Sequence, residues 1–249
     1  TLDCQGFMIN FSQESQGFGV DLTGFNYTTV KNCIIVQGND STYADGVHTV
    51  SGASYSNILN NTIFTTGNYS MGIYLINGAT GNIIENNTIS YLGTDVGSNI
   101  NIVDGINNTV INNNLSADVA GDAIYAISFT NSIDTVISGN IILGQINLNN
   151  ETNYAIENNN LTLAATNNAG ISLYSSTSLN NILGNNIQNY GGHGISLTSS
   201  SGNNFIRNNI TVNKTNSNGF NFASSSENNT LENNDIISVN GMAVSLGTS

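Results

Sequence analysis

Sixteen acidic side chains stand against only three basic ones, Lys31, Arg207 and Lys214, and this imbalance limits the chemistry open to the chain. Asp40, Asp45, Asp95, Asp118 and Asp122 all precede a recurring small–apolar step. Oxygen ligands brought to one edge could hold Ca²⁺, which takes six to eight of them, so Asp45, Asp118 and Asp122 are candidate metal ligands. The competing and preferred reading is ordinary loop solubility, because the intervening segment Gly67-Asn68-Tyr69-Ser70-Met71 carries no acid. No cofactor is expected unless it is this calcium. His48, His193 and the three methionines are too scattered along the sequence to form a soft-metal site. Tyr43 and Tyr69 occupy matching positions in successive repeats, and Tyr74 and Tyr125 are expected to face outward. Rings so placed could stack on sugars, so Tyr43, Tyr69 and Tyr74 are candidate carbohydrate contacts.

Two further residue types invite modification. Thirteen Asn-x-Ser/Thr triplets occur, which marks glycosylation acceptors in an exported protein. A chain with 48 Asn and 52 Ser and Thr nearly accounts for them by composition alone. Asn39, Asn68 and Asn213 are the better candidates because they fall in loops. Cys4 and Cys33 lie 29 residues apart, close to one repeat, but their offsets within the repeat differ. A disulfide, which an oxidising compartment permits, and two free thiols stand as alternatives.

The net charge of −13 argues against nucleic-acid binding, which needs clustered Lys and Arg to displace counterions. It argues equally against anionic membranes, and polyanionic substrates would need bridging cations. No apolar run approaches the ~20 residues of a membrane span. The chain opens at Thr1 already inside its pattern and without a signal peptide, so it reads as a mature or trimmed form.

What must position these residues is a repeat. A small residue, usually Gly, followed by apolar–x–apolar gives Val20/Leu22, Val47/Thr49, Ile73/Leu75, Ile100/Ile102, Ile124/Ala126, Ile146/Leu148, Ile171/Leu173, Ile195/Leu197, Phe220/Phe222 and Val244/Leu246. Between these copies runs Asn–x–apolar, from Asn32/Ile34 and Asn61/Ile63 to Asn234/Ile236, with a further inward candidate three residues before each Asn, from Thr29 to Leu231. Residues two apart share one side of a strand. Each period therefore holds three short strands separated by bends. Asn suits the bends because it tolerates left-handed backbone, and stacked Asn amides can pair along the axis. The absence of Pro fits ladders that need every backbone donor. The expected fold is all-β: one domain over residues 1–249, a single-stranded right-handed parallel β-helix of about ten coils of 22–27 residues, three short strands per coil.

With the repeats laid out, Gly72–Ser90 (GIYLINGATGNIIENNTIS) and Gly194–Val212 (GISLTSSSGNNFIRNNITV) resemble the NosD-type repeats of secreted and cell-surface β-helix proteins of bacteria and archaea. That resemblance implies a right-handed helix and an exported location; it does not imply one function. The segments Ala44–His48 and Gly192–Ser196 also resemble polygalacturonase motifs. Six coils, about 29 Å, would separate Asp45 from His193, whereas cooperating glycosidase carboxylates stand ~5–9.5 Å apart. A lyase would want paired cations, yet Lys31 and Arg207 are seven coils apart.

The expected function is thus a non-catalytic extracellular structural or interaction module of a cell surface, sheath or filament, self-associating end to end or contacting glycans. The alternatives are a carbohydrate-active β-helix, lyase or glycoside hydrolase, and a glycan-binding adhesin.

Overall fold

The computed structural model describes residues 1–51, 53–117, 124–164 and 168–247. Among the described residues thirty strands form three parallel sheets of ten strands each, and every strand pairs with its counterpart one coil away. The chain is a right-handed parallel β-helix. The first sheet starts with Leu2–Asp3 and Thr29–Lys31, the second with Met8–Phe11 and Ile34–Gln37, and the third with Val20–Asp21 and Val47–Thr49.

The core is three stacks of aliphatic side chains, one per sheet. Val30, Ile58, Ile84, Val110, Ile137 and Ile156 make the first stack; Ile35, Ile63, Ile89, Leu115, Ile142 and Leu161 the second; and Val47, Ile73, Ile100, Ile127, Ile146 and Ile171 the third. None is more than 1% exposed. No coil could bury these side chains by itself, so stability comes from each coil covering its neighbours.

The glycine before most inward residues of the third sheet has a steric cause. A Cβ on Gly72 would stand 2.3 Å from Ile89 Cγ2 and 2.6 Å from Asn99 O, and one on Gly194 would meet Ile210 Cγ2 and Gly219 O at 2.3 and 2.6 Å. Here the second and third sheets converge.

At the bend between the first and second sheets, two jobs that the sequence suggests for one Asn fall to two neighbours. Asn60, Asn86, Asn112 and Asn158 take left-handed φ values of 55–57°. The next residue, Asn61, Asn87, Asn113 or Asn159, is buried in an amide ladder. Asn87 Oδ1 accepts from Asn61 N and Nδ2 at 2.9 and 3.0 Å, while Asn87 Nδ2 donates to Ile58 O at 2.8 Å and to Asn113 Oδ1 at 3.1 Å. A buried amide is costly unless it is bonded, and this one is bonded along the axis.

Two registers differ from the repeat read by eye. In the first full coil the ladder position belongs to Cys33, whose N–H donates to Asn61 Oδ1, and not to Asn32. Val30 and Ile35 are inward where Thr29 and Ile34 are expected. Burying Val and Ile fully, and leaving polar Asn32 in the left-handed bend, is the better use of the same string. In the strand Ile124–Thr130, the partners of Ile100 and Ile102 are Ile127 and Phe129, where the repeat predicts Ile124 and Ala126. Ala126 instead takes the crowded small-residue position, and both Ala126 N and Ile127 N point to Gln145 O. Larger side chains fill the core and the smallest sits where space is least.

Candidate functional site

The outward column of the third sheet runs Asp21, His48, Tyr74, Asn101, Ser128, Asn147, Ser172 and Ser196. Its first three rungs carry titratable side chains; the later ones carry amides and hydroxyls. Outward does not mean exposed here. Ser128, Asn147 and Ser172 are buried, and Gln145 donates to Ser172 Oγ.

His48 is the centre of the first rungs. Its Nδ1 lies 2.7 Å from Asp45 Oδ2, while the second carboxylate oxygen of Asp45 accepts Met71 N at 2.7 Å. Asp45 is 3% and His48 6% exposed. Asp45 is followed by Gly46, where a Cβ would stand 2.5 Å from Ile63 Cγ2. Phe18, from the preceding coil, stacks on the imidazole at 3.7 Å and 2°, and Tyr74, from the following one, lies 5.8 Å away at 56°.

This geometry sets the tautomer. An ionised carboxylate only accepts, so Nδ1 carries a hydrogen toward Asp45, and in the neutral ring Nε2 is the acceptor. Nε2 has no hydrogen-bond partner among the described residues. Burial pushes the Tyr74 phenol up, and the charge of Asp45 adds to this, so it remains a proton donor. Burial opposes ionisation of Asp21, but its bonds with Thr23 and the neighbouring His48 outweigh that and hold its carboxyl below the usual range. An oriented imidazole with an available Nε2 beside a neutral phenol is able to move protons to and from a ligand.

Aromatic rings frame the same coils. Tyr43 and Tyr69 stack at 5.0 Å and 16° where the chain enters the third sheet; Tyr27 and Tyr55 stack at 5.3 Å and 11° where it leaves. All four hold φ of 54–56°, a backbone state that bulky side chains rarely take. The residue following Tyr55 in its column is Gly81, where a Cβ would stand 2.7 Å from Tyr55 Cδ1, so glycine leaves room for the ring. The exposed aromatic rings crowd the first three coils: Phe7, Phe18, Phe25, Tyr27, Tyr43, Tyr55 and Tyr69, against Tyr174 and Tyr190 beyond them.

The structure thus brings Tyr43 and Tyr69 together and places Tyr74 one rung from His48. Asp45 is committed to His48 and Met71, and Asp118 and Asp122 lie outside the described residues. Among the described residues no three His, Cys, Asp or Glu side chains are grouped to hold a metal ion. Cys4 and Cys33 are joined as a disulfide, Cα–Cα 4.8 Å. Of the loop asparagines, Asn213 is exposed; Asn39 is half-buried and accepts from Ser41 N and Ser12 Oγ. Asn68 is half-buried beside a shallow depression lined by Asp40, Thr66 and Leu92. His193 has a structural task, since its Nδ1 accepts Asn218 N at 2.9 Å and burial pulls its pKa down.

Pattern reading missed the Phe18–His48–Asp45 group. The signal was present: Asp45 and His48 are three apart across a bend-to-strand step, and Asp21, His48 and Tyr74 are consecutive in one outward column.

No protein-family model matches the chain, and no curated protein sequence matches it significantly. Among solved structures it is similar to the A-module of the Azotobacter vinelandii mannuronan C-5 epimerase AlgE4, with TM-score 0.50 and 14% identity over 94% of this chain and 91% of that one. The Dettilon tailspike protein gp208 gives TM-score 0.43 and 14% identity over 87% of this chain and 55% of that one. ORF18 of Geobacillus virus E2 gives 0.35 and 11% over 93% and 54%. The likeness is one of fold. Among the described residues no helix is long and apolar enough to cross a membrane.

Proposed function

We propose that this chain is an extracellular or cell-surface β-helix module that binds carbohydrate across the third sheet of its first three coils. The observation that carries this reading is the aromatic crowding there: two stacked tyrosine pairs border a strip holding Phe18, His48 and Tyr74. Flat rings beside oriented polar groups suit sugars, which present both apolar faces and hydroxyls. Two further supports are the resemblance to NosD-type exported repeats and the fold shared with an epimerase whose name places it on mannuronan. In this reading the module needs no catalysis. Titration against a panel of soluble oligosaccharides tests it: one class should bind saturably, and Tyr69→Ala should weaken that class about tenfold, a loss of ~1.4 kcal/mol. Failure of every saccharide to bind, or unchanged affinity in Tyr69→Ala, would refute it.

A second reading, a carbohydrate-active enzyme, is favoured by one observation, the Asp45-oriented imidazole beside Tyr74. It requires slow conversion of the bound saccharide that His48→Ala abolishes while binding persists.

A further inference from the structure

We propose that the His48 face takes a saccharide bearing a protonated amine and turns away uronates; this rests on the carbohydrate reading and names the class of sugar. The first 96 residues contain seven acids, Asp3, Glu14, Asp21, Asp40, Asp45, Glu85 and Asp95, and one base, Lys31. Lys31 belongs to the first sheet and is paired with Asp3 at 3.2 Å. A uronate carboxylate brought onto the third sheet would therefore meet no free cation. His48 does not supply one. With the imidazole neutral, the Asp45–His48 pair carries −1; with it protonated, the pair carries zero. Asp21, the register partner of His48, adds another negative charge. Desolvating an anion without a counter-charge is costly.

A protonated amine meets the opposite situation. Asp21 is exposed, and one of its oxygens accepts Thr23 N at 2.9 Å. Phe18 lies with one face on the imidazole and is 36% exposed, and an aromatic face left open to solvent attracts cations. In the neutral ring, Nε2 of His48 accepts a hydrogen bond from an N–H or O–H and offers none to a carboxylate. His48 is nine-tenths buried and otherwise unengaged at Nε2, so the position is built for a donor from outside. The net charge of −13 also draws cations toward the rod and repels polyanions.

Calorimetric titration of the full chain with oligomers of glucosamine, N-acetylglucosamine and mannuronate, at low salt and neutral pH, tests this. A lysine oligomer serves as a cation without a sugar. The glucosamine oligomer should bind tightest, and the mannuronate oligomer should not bind. Asp21→Asn, an exposed and isosteric change, should weaken glucosamine about fivefold, as expected for a half-screened charge contact, and leave N-acetylglucosamine unchanged. Equal affinity for the two hexosamines, or preference for mannuronate, would overturn the amine assignment while leaving carbohydrate binding intact. Lysine oligomers binding as tightly and losing as much in Asp21→Asn would also overturn it, by showing a general cation surface. Binding of no saccharide would remove the carbohydrate reading itself.

Discussion

At the scale of single residues, the least expected side chain is Glu151, which is 0% exposed. It occupies a column that other coils fill with hydroxyls: Gly105 N is capped by Ser132 Oγ, Ser132 N by Glu151 Oε2 at 2.9 Å, and Glu151 N by Thr177 Oγ1. Burial pushes the carboxyl up to about 8; the Tyr154 hydroxyl and Ser132 N–H beside it pull down, and Asp104 adds slightly to the rise. The folded protein therefore holds Glu151 as a neutral acid at neutral pH. An unfolded chain loses that proton near the ordinary value of 4.5. Between about 4.5 and 8 the folded state binds more protons than the unfolded one, so stability falls as pH rises through that window and levels off above it. The slope is at most ~1.4 kcal/mol per pH unit. Glu151→Gln, which keeps the shape and an acceptor, should flatten the slope. Denaturation midpoints of both proteins at several pH values check this; parallel curves would mean that Glu151 is ionised when folded.

At the scale of the repeating element, the Asn ladder and the left-handed bend beside it make separable demands. Asn113 sits within the ladder: its Oδ1 accepts Asn87 N at 2.9 Å, and its Nδ2 donates to Ile84 O at 2.9 Å and Asn140 Oδ1 at 3.0 Å. Asn113→Ala strips the acceptor from a buried N–H and the donor from a buried carbonyl, and such losses cost ~1–3 kcal/mol per orphaned group. Asn112, exposed with φ 55°, has only a backbone requirement. Asn112→Gly meets it and should change stability by less than ~1 kcal/mol. Chemical denaturation of the two variants distinguishes them, and equal losses would show that the ladder amide contributes little.

For the whole molecule, the governing terms are nearest-neighbour stacking and self-repulsion. Every coil covers the next, so cooperativity extends only as far as the interfaces between coils hold. Against this stands a charge of −13 with Lys31–Asp3 as the ion pair at the surface of the first coils. Raising ionic strength from 0.01 to 0.15 M shortens the screening length from about 30 to about 8 Å. The thermal midpoint should therefore rise with salt, by roughly 2–4 °C for each kcal/mol of repulsion relieved. A falling midpoint would mean that attractive charge pairs dominate. The same screening should weaken any amine-bearing ligand at the His48 face.

The sequence by itself determined the β-helix, its three strands per coil and most inward positions, because alternation along a strand is a local property and ten copies make it legible. That Tyr43 and Tyr69 hold one position in adjacent coils was legible for the same reason; that their rings stack on each other was not. What only the tertiary structure decided depends on how coils of unequal length meet. Asn140 bonds Asn159 across 19 residues, whereas Cys33 bonds Asn61 across 28. No local pattern tells which of two adjacent residues a bend of unknown length delivers to the ladder, so Cys33 displaced Asn32 and Ile127 displaced Ile124. The stacking of Phe18 on His48, the turn of Asp45 toward that ring and the sealing of Glu151 inside the rod have the same origin. Each is a contact set by the packing of neighbouring coils, where volume and desolvation choose among side chains that the one-dimensional pattern treats as equivalent.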